Sequence, residues 1–396
     1  MSPDWICSQL GAREHYAIPR ALHRAGRLRE LHTDLWSAGL WRHARFLGAP
    51  GRDLAGRFHP ELDRAAVRAH PFTAIPMVGA ARLGRAADFA GNVFRQSLRL
   101  DRMTADRLRA PGIFFSYTGT FLESAARIQE LGGRAILGQV DPAATEEEIV
   151  ARERERHPGW EPGAVPPPPG WTERRRAEWD RADLVVVNSA WSRTCLEQQG
   201  VPPSKLRVVP LAYDPPTETA RARVRARGAG VRVLWLGQVI LRKGIACLLE
   251  SARRLSALPV EFVIAGPIGI SPAAVAAAPE NVRFLGPISR TLVSRVYAGA
   301  DLFVLPTLSD GFAITQLEAM AHGLPVIATP RCGEVVVPGQ SGLIVPPGDA
   351  EALAAAIAGL VQNREALAAM ALEALERSRH FGLDRLTGAL LDLLPE

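Results

Sequence analysis

Residues 301–328 have the pattern of a strand, a tight loop, a helix and the start of a second strand. The apolar run Leu302–Leu305 is short enough to be a buried strand, and apolar residues then recur at helical spacing over Ile314–Ala321. Gly323 stands where a helix commonly ends on a glycine, and Pro325 closes the element. The unit predicts an α/β architecture.

Two acids make this unit chemically informative. Asp310 lies in the loop and Glu318 lies in the helix. The residues between them lead into the helix N-terminus: Gly311, Phe312, Ala313 and Ile314. Backbone N–H groups at such a position suit a phosphate, and acids beside a phosphate make sense if they accept hydrogen bonds from sugar hydroxyls, since like charges repel. In the alternative interpretation, Asp310 caps the helix and Glu318 is a solvated surface acid.

The same stretch resembles a known signature, an acid followed eight residues later by Glu, of retaining glycosyltransferases with the GT-B fold. That large family includes sucrose synthases and mannosyltransferases. Its first acid is usually Glu, and here it is Asp310, one methylene shorter, whereas residues 317–327 match closely. The resemblance implies two doubly wound, Rossmann-like domains facing a cleft, with Glu318 holding the ribose of a nucleotide-diphosphate sugar and Asp310 holding the sugar.

Composition is compatible with that size and class. The 396 residues are 47% hydrophobic, which is enough for two globular domains. The cysteines are far apart and form no C-x-x-C pair, so neither a zinc site nor a disulfide framework is predicted: Cys7, Cys195, Cys247 and Cys332. A formal net charge of +6 allows attraction to a nucleotide or to anionic lipid, and it does not require nucleic acid as a partner.

The N-terminal sequence lacks the basic and apolar regions of a signal peptide, and no run of about 18 apolar residues predicts a membrane span. We therefore expect a cytoplasmic protein, with a weak peripheral contact with the inner membrane face as an option. The basic and aromatic residues 41–46 suit such a contact, although a partly buried helix with solvated arginines is the favoured alternative.

Strand and helix patterns alternate through both halves of the chain. We expect residues 1–214 to form an acceptor-binding Rossmann-like domain and residues 231–379 to form a second one that binds the nucleotide sugar. Residues 215–230 lack apolar periodicity and end in glycines, which predicts a linker. The family resemblance implies that residues 380–396 form a helix that packs back on the first domain.

In the second half, the segment after the strand at residues 231–236 resembles the family pattern G-x5-K-G at Gly237 and Lys243. Lys243 and Arg242 would neutralise a leaving diphosphate, and a surface pair of cations is the alternative. An arginine often follows the glycine in the family, and here the residue is Gln238. Backbone near Ile288, after a later strand, is expected to edge the nucleobase.

In the first half, Gly11, His15 and Tyr16 occupy the region of the family's glycine loop, which faces the cleft. A plain entry from strand to helix is the alternative. Many relatives carry a histidine after a later strand, and Gln139 stands near there, so no histidine role can be transferred. Asp141 is the nearest ionisable side chain, and a turn residue before proline is the favoured interpretation of it.

The sequence therefore predicts a retaining glycosyltransferase that moves a sugar from a nucleotide-diphosphate sugar to a hydroxyl of a glycan, lipid or small molecule. The predicted catalytic residues are Asp310, Glu318 and Lys243. No Asp-x-Asp motif ends a strand, so we expect neither a metal nor a cofactor. A sugar-nucleotide epimerase or hydrolase of the same fold and a non-catalytic nucleotide-sugar-binding subunit are the alternatives, and the base, sugar, acceptor and oligomeric state stay open.

Overall fold

The structure is a computed structural model that describes residues 4–37, 56–73, 89–162, 165–215 and 230–394. Two sequence expectations fall outside these ranges. They are the basic and aromatic segment at residues 41–46, and the linker at residues 215–230 apart from its two end residues.

The first half forms a sheet of seven parallel strands within the described residues, in the order β3-β2-β1-β4-β5-β6-β7. The strands are β1 Trp5–Gln9, β2 Leu28–Thr33, β3 Val67–Ala69, β4 Ile113–Tyr117, β5 Arg134–Gln139, β6 Leu184–Val187 and β7 Leu206–Val208. The helices that accompany them are α1 Ala17–Arg24, α2 Phe89–Ala105, α3 Leu122–Glu130, α4 Ala144–Arg156, α5 Trp171–Arg181 and α6 Ala190–Gln198.

The second half forms a sheet of six parallel strands within the described residues, in the order β10-β9-β8-β11-β12-β13. The strands are β8 Val231–Leu236, β9 Val260–Ala265, β10 Val282–Gly286, β11 Leu302–Leu305, β12 Val326–Ala328 and β13 Gly342–Ile344. The helices are α7 Ile245–Arg254, α8 Pro272–Ala276, α9 Arg290–Ala298, α10 Ile314–Ala321, α11 Ala350–Gln362, α12 Arg364–Ser378 and α13 Leu383–Leu391.

Strand β11 shows why the central strands are continuous apolar runs. Its four side chains are buried and alternate between the two faces of the sheet. Leu302 and Val304 join one apolar cluster, and Phe303 and Leu305 join the other. Because helices cover both faces of a parallel sheet, every position of such a strand has to be apolar.

The strand orders place one topological switch point in each sheet, where successive strands begin to be added on the opposite side. In the first sheet it lies between β1 and β4, and in the second it lies between β8 and β11. Ligands of open α/β sheets bind outside the carboxyl ends of the strands at such points. The loops after these four strands are therefore the places to look for a site.

The last helix, α13, packs on the first half of the chain. Leu386 and Leu390 enter the apolar cluster beneath β1, and the Thr387 hydroxyl donates to the carbonyl of Ala21 in α1 at 3.3 Å. This helix lies within residues 380–396, the segment for which the family resemblance implies such packing. Among the described residues, no helix combines the length and apolarity needed to cross a membrane.

Candidate functional site

The turn after β8 carries the two predicted phosphate-binding cations. A 3-10 turn over Leu241–Lys243 ends at Gly244, which has a φ of 75°. A Cβ atom on Gly244 would lie 1.9 Å from the Pro306 carbonyl oxygen, just after β11. Only glycine permits both the backbone conformation and this close approach. The turn therefore lies directly against the loop that carries Asp310.

Asp310 is buried between these cations. Lys243 Nζ forms an ion pair with Asp310 Oδ2, and Arg242 Nη1 lies 3.8 Å from Oδ1. Burial favours the neutral acid, but the charges of Lys243 and Arg242 more than offset that effect and hold the pKa of Asp310 below its ordinary value. Residue 313 is the N-cap of α10 and makes no side-chain cap, so the interpretation of Asp310 as a helix cap is wrong.

The start of α10 has fewer backbone N–H groups available to an anion than the sequence suggests. The N–H group of Phe312 faces Asp310 and lowers its pKa, and the N–H group of Ala313 donates to the Cys332 carbonyl at 3.0 Å. Two of the four amides are thus engaged within the protein. A phosphate contact of this loop stays a prediction.

Glu318 is oriented by a buried tyrosine that sequence reasoning missed. The Tyr297 hydroxyl, on α9, donates to Glu318 Oε2 at 2.8 Å, and the Tyr297 ring stacks on His322 with centroids 4.9 Å apart. Burial first, and then the charge of Glu318, raise the pKa of Tyr297. A half-buried acid with this partner is not a freely solvated surface residue, so that alternative is wrong as well.

The remaining donor-side predictions lie at the same edge of the second sheet. The Gly237 N–H donates to the Ala265 carbonyl at 3.0 Å at the end of β8, and Gln238 beside it is exposed. Ile288 is half-buried in the segment after β10. Their predicted roles toward a nucleotide stay predictions.

Loops of the first half close directly over this site. A Cβ atom on Gly311 would lie 1.9 Å from the carbonyl oxygen of Val140, which follows β5. Trp191 Nε1 donates to Ser309 Oγ at 3.1 Å, and the N–H group of Ala190 is 3.2 Å from both carboxylate oxygens of Glu334. The Asp310 loop therefore forms part of the contact between the two sheets.

We expect Gly311→Ala to force the two halves apart at the site. The added methyl group meets backbone, which cannot rotate away, so the loop or the Val140 segment has to shift, and such overpacking costs about 1–3 kcal/mol. Chemical denaturation should show this loss. Gly359→Ala is the matched control, because nothing lies within 4 Å of its Cβ position and it stands within α11. Equal stability of the two variants would contradict the close approach.

On the first sheet, the turn after β1 is strained. Glu14, His15 and Tyr16 have φ values of 51°, 51° and 60°, in the left-handed region that non-glycine residues rarely adopt. The Tyr117 hydroxyl donates to Glu14 Oε2 at 3.2 Å, and the Arg13 guanidinium lies 4.8 Å from the centre of the Tyr117 ring. Burial raises the pKa of Glu14, while Arg13 and Tyr117 oppose that rise.

A small recess opens beside this turn at the first switch point. Its polar lining consists of Glu14, Tyr117, Gln139 and Asn188. Glu14 and Asn188 follow β1 and β6, and Tyr117 and Gln139 end β4 and β5, so all four lie at the carboxyl edge that faces the second sheet. Sequence reasoning named the neighbours of Glu14 and missed Glu14 itself.

The structure changes the interpretation of three predicted acceptor-side residues. Tyr16 is buried in the core with its ring edge-on to Trp36, so its side chain supports the turn instead of facing a ligand. The Arg57 guanidinium fills the space beside Gly11, so it covers the backbone that was predicted to approach a ligand. Asp141 Oδ1 accepts from Gln139 Nε2 at 2.9 Å and is thus the turn residue of the favoured interpretation.

His15, the remaining residue of that set, is exposed on the strained turn. Within the described ranges, no group of three or more His, Cys, Asp or Glu residues is arranged to hold a metal ion. The four cysteines are buried and form no disulfide.

Comparison with known proteins places the chain in a family. Residues 230–363 match the family model described as "Glycosyl transferases group 1". The GDP-mannose-dependent alpha-(1-6)-phosphatidylinositol monomannoside mannosyltransferase of Mycolicibacterium smegmatis is 30% identical, over 63% of this chain and 69% of the relative. The chain belongs to the group 1 glycosyltransferase family.

Other relatives of this group 1 glycosyltransferase agree with that placement. The D-inositol 3-phosphate glycosyltransferase of Mycobacterium marinum is 30% identical over 58% of the chain, which spans 53% of that relative's length. The solved structure of Anabaena HepE in complex with UDP-glucose superimposes with a TM-score of 0.64 and 14% identity, covering 98% of this chain and all of the other. The superposition confirms the predicted GT-B fold of two Rossmann-like units.

Proposed function

We propose that the chain is a retaining glycosyltransferase that transfers a sugar from a nucleotide-diphosphate sugar to an acceptor hydroxyl. The observation that carries this proposal is the buried ion pair of Asp310 with Lys243, which Arg242 flanks, at the second switch point. Two cations and an acid at that position suit a ligand that has both phosphates and hydroxyls. The UDP-glucose complex of HepE, with the same fold, supports a nucleotide-sugar donor.

On this proposal, the cations exchange partners when the donor binds. Lys243 and Arg242 turn from Asp310 to the diphosphate and stabilise the charge that develops as it leaves. Asp310 is then released to accept hydrogen bonds from hydroxyls of the transferred sugar. Glu318, which the Tyr297 hydroxyl orients, accepts hydrogen bonds from the ribose hydroxyls.

Retention of configuration follows if the acceptor attacks on the face from which the diphosphate leaves. The bond between the anomeric carbon and the phosphate oxygen breaks, and a bond to the acceptor oxygen forms on the same side. The acceptor proton passes to the departing phosphate, which serves as the base. This route is the one that the family resemblance implies, and it requires no protein side chain as a nucleophile.

The acceptor would enter from the first sheet, where the recess at the strained turn provides hydrogen-bonding groups. The relatives named above act on an inositol phosphate and a phosphatidylinositol monomannoside, so a polyhydroxylated acceptor, free or lipid-linked, is the class to test. The cytoplasmic location expected from the sequence stays a prediction.

A screen of nucleotide sugars tests the proposal. A ligand that binds the folded state raises the melting temperature by mass action, so at least one nucleotide sugar and its nucleoside diphosphate should stabilise the protein. Products are then analysed with and without candidate acceptors. Transfer only with acceptor supports the proposal, whereas free sugar or an epimerised donor without acceptor would show a hydrolase or epimerase. No stabilisation by any nucleotide sugar would contradict it.

We expect activity to survive a chelator. With the donor bound, both acids would accept hydrogen bonds from hydroxyls, Asp310 from the sugar and Glu318 from the ribose, whereas Mg²⁺ needs carboxylates together with phosphates. Turnover with EDTA in excess over trace metal should equal turnover without it. Loss of activity that magnesium or manganese restores would refute metal independence.

A further inference from the structure

Residues 146–161 of the first half contact the turn that carries Lys243. Helix α4 packs against this turn, Leu241–Lys243, and the acid at each end of the segment contacts it. Glu146 Oε1 lies 3.3 Å from Arg242 Nη1. At the other end, the N–H group of Leu241 donates to Glu161 Oε1 at 2.7 Å. Trp160, next to Glu161, packs against the core of the second half.

The two acids differ in what they can do. Glu161 accepts from backbone and from Arg154 Nε at 2.8 Å, so its carboxylate is fully used in holding the turn in place. Glu146 instead faces a side chain of the proposed donor site. Its second oxygen, Oε2, is buried, with no hydrogen bond of normal geometry among the described residues. A buried carboxylate with one cationic neighbour depends on that cation for its charge.

We propose that Glu146 is a positioning residue of the donor site. It pairs with Arg242 while the site is empty, and it takes up a proton when a diphosphate binds Arg242. The inference rests on the proposed function, because it assumes that a diphosphate binds beside Arg242. It adds a residue from the first half of the chain to a site that the sequence assigned to the second half alone.

The surroundings of Glu146 support proton uptake. Arg242 is the cation that faces it, whereas Asp310 from the loop after β11 and Asp141 from the loop before α4 both disfavour its charge. The Ser309 hydroxyl lies beside it, and the buried Cys195 thiol faces it from α6. Burial, opposed by Arg242 and reinforced by the two acids, raises the pKa of Glu146 to about 7.

Binding of a diphosphate should raise that pKa further. The ligand brings negative charge toward Arg242 and draws the cation away, and both changes favour the protonated carboxyl. By linkage, a group whose pKa rises on binding takes up a proton, and affinity falls as pH increases between the two values. The loss is up to tenfold for each unit by which binding raises the pKa.

The experiment is calorimetric titration with UDP, GDP and ADP between pH 7 and 8.5, in buffers that differ in ionisation enthalpy. A terminal phosphate has a second pKa of about 6, so the ligand is about nine-tenths ionised at pH 7 and almost completely ionised at pH 8.5. The wild type should take up a fraction of a proton per ligand and should lose about threefold to tenfold in affinity across the range. Glu146→Gln, which keeps the shape, should show neither effect and should bind more tightly than the wild type at pH 8.5.

Glu148→Gln is the matched control, because Glu148 is exposed on the same helix and pairs with Arg152 at 3.3 Å. It should behave as the wild type does. Absence of proton uptake by the wild type, or equal uptake by wild type and Glu146→Gln, would overturn the role of Glu146 and leave the proposed function standing. Absence of binding by all three nucleotides would overturn the proposed function, and the inference with it.

Discussion

The Asp310→Asn variant is expected to transfer sugar about ten- to a hundredfold more slowly than the wild type, since a hydrogen bond from a sugar hydroxyl to a charged carboxylate contributes about 1.5–3 kcal/mol. Free nucleoside diphosphate should bind at least as tightly as before. In the empty site Asp310 competes for Lys243 and Arg242, so an amide in its place leaves both cations available to the phosphates. Transfer kinetics with the full donor, beside calorimetry with the nucleotide alone, measure the two effects separately.

Glu318→Gln is the paired variant for this test. If Glu318 holds the ribose, its replacement weakens binding of the free nucleotide and of the whole donor alike, because both ligands carry the ribose. The Tyr297 hydroxyl can still donate to the amide oxygen, so the helix should stay intact. Loss of nucleotide binding in Asp310→Asn but not in Glu318→Gln would reverse the assignment and show that the donor binds in the opposite orientation.

The Lys243→Ala variant is expected to bind nucleoside diphosphate about ten- to a hundredfold more weakly, since a charge-assisted hydrogen bond contributes about 1.5–3 kcal/mol. Turnover should fall as well, because the same cation would stabilise the leaving group. Calorimetry and steady-state kinetics on the folded variant check both effects. Asp310 retains Arg242 as its neighbour, so the buried acid is not left without a cation.

Arg253→Ala provides the control for loss of one positive charge. Arg253 is exposed on α7, close in sequence to Lys243, and it pairs with Glu250 away from the site. Its removal should leave affinity and rate close to the wild type. Unchanged binding and turnover in a folded Lys243→Ala variant would remove Lys243 from the proposed machinery.

Largely apolar runs between turns predicted much of the second sheet. Four strands have the bounds that the apolar runs indicate: Val231–Leu236, Val260–Ala265, Leu302–Leu305 and Val326–Ala328. Strands such as β2 and β13 were not predicted. Strand β2 mixes polar and apolar residues, and β13 starts at Gly342, a residue typical of turns, so neither begins as an apolar run. Their pairing in the sheet, rather than their composition, makes them strands.

The site was predictable where it depends on local pattern, and less so where it depends on contacts across the chain. Asp310 and Glu318 fall within one strand–helix unit, and the order of strands brings Lys243 beside them. Tyr297 reaches Glu318 from the helix before β11, and nothing in the spacing of the sequence joins the two.

Glu146 illustrates the same limit more sharply. It is the first of three consecutive glutamates at the start of an acid-then-base helix, a pattern that predicts a solvated surface. In the structure Glu147 and Glu148 make ion pairs within the first half, whereas Glu146 faces Arg242 from the second half. Only the packing of the two halves separates the three acids.

A crystal structure with the nucleoside diphosphate that stabilises the protein most would test the central claim directly. We predict that the diphosphate lies within hydrogen-bond distance of Lys243 Nζ, that the Lys243–Asp310 ion pair has opened, and that the ribose hydroxyls donate to Glu318 while Tyr297 still holds its other oxygen. A nucleotide bound instead in the recess beside Glu14 and Tyr117, with the Lys243–Asp310 pair intact, would contradict the account.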